Sequence, residues 1–110
     1  MKVNIDDLGG TVVKNNETYT VIDNTHLRDL VVSKTTLHPM KKTTGHKHAG
    51  QEEVYYFIHG RGKMQLEYNT FSVWAGDVVL IPDGAFHRVI NESSVEDLTF
   101  LCVFSGTRSH

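Results

Sequence analysis

Nothing in this chain repeats on a helical period: no stretch of ten or more residues spaces its apolar side chains every three to four positions. Glycine and proline instead cut the sequence into short runs rich in Val, Ile, Thr, Tyr and Phe, the pattern of an all-β fold. Strands are expected over Tyr19–Ile22, Leu30–Leu37, Glu53–Ile58, Lys63–Tyr68, Thr70–Trp74, Val78–Ile81, His87–Asn91 and Leu98–Phe104. The reversals between them carry suitable chemistry. Gly60-Arg61-Gly62 tolerates positive φ, Asn69 is expected to take the left-handed conformation of a tight hairpin, and Ala75-Gly76-Asp77 and Pro82-Asp83-Gly84 mark further turns. Many short strands closed by tight turns suit a barrel or a two-sheet jelly roll, because an open sheet of this size leaves edges free to aggregate.

With 110 residues the chain builds one hydrophobic core, so residues 1–110 are expected to form a single domain and to share one site. Apolar residues at 39% and charged residues at 22% exclude a disordered chain. No apolar run approaches the roughly 20 residues that cross a bilayer, so no membrane partner is expected. The opening MKVNIDDLGG lacks the apolar stretch of a secretory signal, which points to the cytoplasm. Net charge is −2 and the basic residues are scattered, so nucleic acid is not an expected partner. The lone Cys102 lies in an apolar run and reads as a small buried hydrophobe. The closing Arg108-Ser109-His110 resembles the start of an expression tag.

The unusual component is histidine, at positions 26, 38, 46, 48, 59, 87 and 110. On extended chain, His46 and His48 project to the same side and can chelate one ion, although alone the pair would read as two exposed loop residues. Downstream residues change that balance. Glu53 opens an otherwise apolar strand, and strand parity puts it on the inner face with Tyr55 and Phe57, while Glu52 falls on the solvent side. A carboxylate in that position is costly to bury unless a cation compensates it. His87 comes from a second segment that the barrel must bring alongside the first.

These two segments, 46–60 and 76–91, resemble the two signature motifs of the cupin superfamily. The first reads His46, His48, Glu53, Gly60, and the second Gly76, Pro82, Gly84, His87, Asn91, with fifteen residues between Gly60 and Gly76. One position departs: Met40 stands where the superfamily often places a glycine ahead of the first histidine. The resemblance implies a small cupin barrel, or double-stranded β-helix, with a divalent ion on His46, His48, Glu53 and His87. By ligand chemistry, three imidazoles and one carboxylate suit Mn, Fe, Co, Ni or Zn and leave two octahedral positions for water or substrate. His26, His38 and His59 read as surface, strand-end or turn residues, with His38 a further candidate for the barrel mouth.

A more specific resemblance is to the archaeal cupin-type phosphoglucose isomerases, carried by Thr43, Thr44 and Gly45-His46-Lys47-His48, by Glu53-Val54-Tyr55 with Gly60-Arg61-Gly62, and by His87-Arg88 with Asn91. It implies a metal-dependent isomerase of a sugar or sugar phosphate. Glu53 or Tyr55 would serve in proton transfer, and Thr43, Thr44 or Arg61 would contact phosphate. The same ligand set also suits an iron-dependent dioxygenase, and the barrel alone suits a non-catalytic small-ligand or carbohydrate-binding module. A homodimer is expected, because a barrel this small leaves Val54, Tyr56 and Ile58 pointing outward in need of cover.

Overall fold

The computed structural model describes residues 1–106, so the tag-like Arg108-Ser109-His110 lies outside the described residues. Within them the chain forms nine strands and no helix: β1 (Thr11–Asn15), β2 (Tyr19–Asn24), β3 (Leu30–Leu37), β4 (Glu53–His59), β5 (Arg61–Leu66), β6 (Asn69–Trp74), β7 (Val78–Ile81), β8 (His87–Ile90) and β9 (Leu98–Ser105). A six-stranded sheet runs β1-β2-β3-β9-β4-β7 and a three-stranded sheet runs β6-β5-β8. All the ladders are antiparallel. The arrangement is the all-β jelly roll expected of a small cupin.

Alternation along the strands builds the core. In β4, Glu53, Tyr55 and Phe57 are buried while Val54 and Tyr56 are exposed, and in β3 Val31, Ser33, Thr35 and Leu37 face inward. Phe57 and Phe100 pack at a ring separation of 5.3 Å, and Tyr55 stacks on Phe100 at 5.1 Å. Leu37, Met64 and Leu98 complete the buried centre. Each such side chain contributes about 1.5–3 kcal/mol of burial, which is what commits the two sheets to face each other. Cys102 is buried on β9, as its apolar surroundings predict.

The structure corrects the turn chemistry of one hairpin. Leu66 pairs with Asn69, so the β5–β6 turn consists of Glu67 and Tyr68, and Glu67 rather than Asn69 takes positive φ, at 53°. Asn69 is held in the ladder and has extended geometry imposed on it. β5 also starts two residues earlier than expected, because Gly60 makes the reversal from β4 alone. Its φ is 87°, and a Cβ there would lie 2.3 Å from the Asp97 carbonyl oxygen.

One strand was not foreseen. β1 pairs only with β2, and its Val12 and Val13 are exposed, so it lacks the inward apolar set that marks a strand in sequence. At the other end of the same sheet, Val54 pairs with Leu80 and Tyr56 with Val78, and all four form an exposed apolar outer face.

Candidate metal centre

Residues 41–46 belong to no named strand, yet they run antiparallel to β8. The Asn91 amide donates to the Lys41 carbonyl (2.8 Å) and the Thr43 amide to Val89 (2.9 Å), while His46 and His87 exchange amide-to-carbonyl bonds of 3.2 and 3.0 Å. His46 and His87 are therefore directly opposite, their side chains on the same side, with ring centroids 4.2 Å apart. Glu53 enters from the start of β4, where it pairs with Ile81 and Phe104. Its carboxylate reaches the His87 Nε2 at 2.7 Å, with both residues buried.

One ligand atom from each of His46, Glu53 and His87 lies within 4.8 Å of the others. The orientation of the imidazoles is compatible with a cation there. His87 Nδ1 lies 3.0 Å from the Ala85 carbonyl and His46 Nδ1 3.4 Å from the Thr44 carbonyl. A carbonyl only accepts, so each Nδ1 carries a proton and each ring directs its Nε2 toward the centre. His87 Nε2 and a Glu53 carboxylate oxygen face each other at 2.7 Å, a separation satisfied by a proton between them or by a bound cation in its place. Burial, reinforced by neighbouring His87 and opposed by Glu53, lowers the pKa of His46 to about 4, so its ring is neutral at pH 7. Two imidazoles and a carboxylate converging this closely fit a divalent transition metal.

His48 is placed less centrally. Its half-buried ring lies 5.2 Å from that of His46, outside the three-donor group, and its carbonyl accepts from the Gly84 amide. Gly45 is required by packing: a Cβ there would lie 2.0 Å from the Phe86 ring. Glu52 is exposed, as parity predicts.

The centre adjoins a cavity of about 310 Å³ whose walls include His46, Glu53, Thr43, Thr44 and Tyr55. Tyr55 stands edge-on to the His87 ring at 5.5 Å. The Thr43 hydroxyl accepts from the Val89 amide at 3.0 Å, so it fastens the 41–46 segment as well as facing the cavity. Arg61 is not brought to this cavity. It opens β5 opposite Trp74 with its side chain exposed, and lines a separate cleft with Ser72, Trp74 and Glu92. Nor is His38 at this mouth: its Nδ1 faces Asp97 at 3.3 Å. Sequence reasoning did not single out Lys14, Tyr19 or Thr35, which reach the cavity from β1, β2 and β3. Their contribution depends on strand pairing, for which the sequence offers no local signal.

The cupin domain family matches residues 33–104. Among similar proteins, one from Methanocaldococcus jannaschii described only as uncharacterised is 41% identical over 69 residues, covering 63% of this chain and 54% of that protein. An oxalate-binding protein of Thermotoga maritima is 31% identical over 78 residues, covering 71% and 64%. A glucose-6-phosphate isomerase of Thermococcus gammatolerans is 30% identical over 107 residues, covering 86% and 56%. The chain thus spans between about half and two thirds of the length of these relatives. Among solved structures, an RmlC-like cupin from Shewanella frigidimarina superposes with a TM-score of 0.79 at 15% identity, covering 92% of this chain and 87% of that one.

Proposed function

Since the chain belongs to the cupin domain family, we propose that it is a metal-dependent isomerase of that family, interconverting the aldose and ketose forms of a sugar or sugar phosphate. His46, His48, Glu53 and His87 hold one divalent ion of Mn, Fe, Co, Ni or Zn. The observation that carries this reading is the convergence of three donors, the half-buried His46 with the buried Glu53 and His87, beside a cavity that Thr43, Thr44 and Tyr55 also line. The place of His48 beside His46 supports its inclusion as fourth ligand.

When bound, the ion supplies Lewis-acid polarisation of two neighbouring substrate oxygens. The chain's own residues supply positioning and proton transfer. Thr43 and Thr44 offer hydroxyls at the cavity wall for substrate oxygens. Tyr55, fixed between His87 and Phe100, or Glu53 would take the proton from the hydroxyl-bearing carbon and return it to the former carbonyl carbon, while the hydroxyl proton passes to the neighbouring oxygen, so both hydrogens are accounted for. The 30% identity to a glucose-6-phosphate isomerase supports this reaction class.

A second reading, a non-catalytic binder of a small acid, is favoured by the 31% identity to an oxalate-binding protein. Incubation of Mn- or Fe-loaded protein with aldose phosphates, followed by a ketose assay, separates the two. Ketose formation supports the isomerase, whereas stoichiometric binding without conversion supports the binder. Oxygen uptake restricted to the iron form would instead assign the site to a dioxygenase.

We also propose a homodimer, because the outer face formed by Val54, Tyr56, Val78 and Leu80 is apolar and exposed on a single copy.

A further inference from the structure

β1 is the outermost strand of its sheet and is irregular at one place. Thr11 pairs with Asp23 and Val12 with Ile22, but the next pair is Lys14 with Val21, which leaves Val13 as an extra residue in a β-bulge. In unbroken alternation Lys14 would share the solvent side with Val12. The bulge reverses the phase. Lys14 becomes the cross-strand neighbour of the buried Val21 and joins it in lining the cavity beside the metal centre. Its half-buried side chain places the ammonium 5.6 Å from the centre of the Tyr19 ring. Among the described residues Lys14 takes part in none of the ion pairs, and of those lining the cavity it is the one with a permanent positive charge.

A half-buried ammonium that faces a cavity and has no ion-pair partner, only the Tyr19 ring beside it, is better compensated when a ligand brings the opposite charge. We infer that the cavity selects a small oxyanion, with Lys14 holding the carboxylate or phosphate oxygens while the remainder of the ligand reaches His46, Glu53 and His87. Lys14 is a specificity residue for charge: a neutral sugar of the same shape leaves the ammonium uncompensated. This rests on the reading of the cavity as a small-molecule site, and it is independent of which reaction follows.

The test is equilibrium dialysis of wild type, Lys14→Met and Lys14→Arg, each Mn-loaded and metal-stripped, against glucose 6-phosphate, oxalate and glucose. Wild type binds at least one of the two anions. Lys14→Met weakens that binding about ten-fold or more, the loss expected for a charge-assisted hydrogen bond, and Lys14→Arg restores most of it. Glucose binds more weakly than the anion and equally to all three proteins. The anion preferred tells phosphate recognition from carboxylate recognition. Absence of binding by both anions, affinities of wild type and Lys14→Met within about two-fold, or glucose binding as tight as the anions would each overturn the inference. A lysine on an edge strand also discourages strand-to-strand association. If that were its only role, Lys14→Met would aggregate with anion affinity unchanged, which likewise overturns the inference. Failure of the metal reading shows separately, as no Mn retained by wild type, while the metal-stripped comparison still reports on Lys14.

Discussion

Asn91 ties the end of β3 to the loop between β8 and β9 through one buried side chain. Its amide nitrogen lies 3.0, 3.2 and 2.8 Å from the carbonyls of Leu37, His38 and Glu96, and its Oδ1 accepts from the Ser93 amide at 3.0 Å. The motif position was legible in the sequence, but its work was not: it closes the barrel and touches no part of the metal centre. Asn91→Ala should cost about 3 kcal/mol, read by urea denaturation, because buried carbonyls lose their donor, while metal content of the folded fraction stays unchanged. Equal denaturation midpoints would refute that role. Glu53 behaves in the opposite way. Parity and motif spacing distinguish it from Glu52, and Glu53→Gln should lower bound metal several-fold or more, whereas Glu52→Gln should leave it unaltered. Arg61 shows where such reasoning stops, since its neighbours are decided by the pairing of β5 with β6 and not by its place in a motif.

At the scale of elements, the turn ahead of the 41–46 segment explains a departure visible in the sequence. Met40, standing where cupins often have glycine, adopts a φ of 63°. Its amide donates to the Ser93 carbonyl and the Lys41 amide to His38, so the turn is held in that conformation despite the Cβ. Met40→Gly should therefore raise stability by up to about 1 kcal/mol, part of the relief being offset by the freer unfolded chain. A fall in melting temperature would contradict this. The strands whose inner and outer faces differ, β3, β4 and β9, were legible because period-two alternation records which face meets the core. β1 was not, because an exposed edge strand has no such contrast and its bulge interrupts the little alternation present. Extended chain is expected only around His46 and His48, and it is the bonding of residues 41–46 to β8 that reveals that His46 comes to rest opposite His87.

For the whole molecule, the barrel converts two motifs separated by fifteen residues into one site by placing β4 in one sheet and β8 in the other. Strand order of this kind is set by which faces bury together, so the sequence supports the jelly roll as a class while leaving its ladder unspecified. The exposed pairs Val54–Leu80 and Tyr56–Val78 predict a dimer by analytical ultracentrifugation, with Leu80→Glu shifting the population to monomer. A monomeric wild type at micromolar concentration would remove that element of the account. Elemental analysis of the untagged protein tests the metal centre. About one transition-metal ion per chain is expected in the wild type and in His26→Ala, and a large loss in His87→Ala. Wild type without metal, or His87→Ala with an undiminished content, would contradict it.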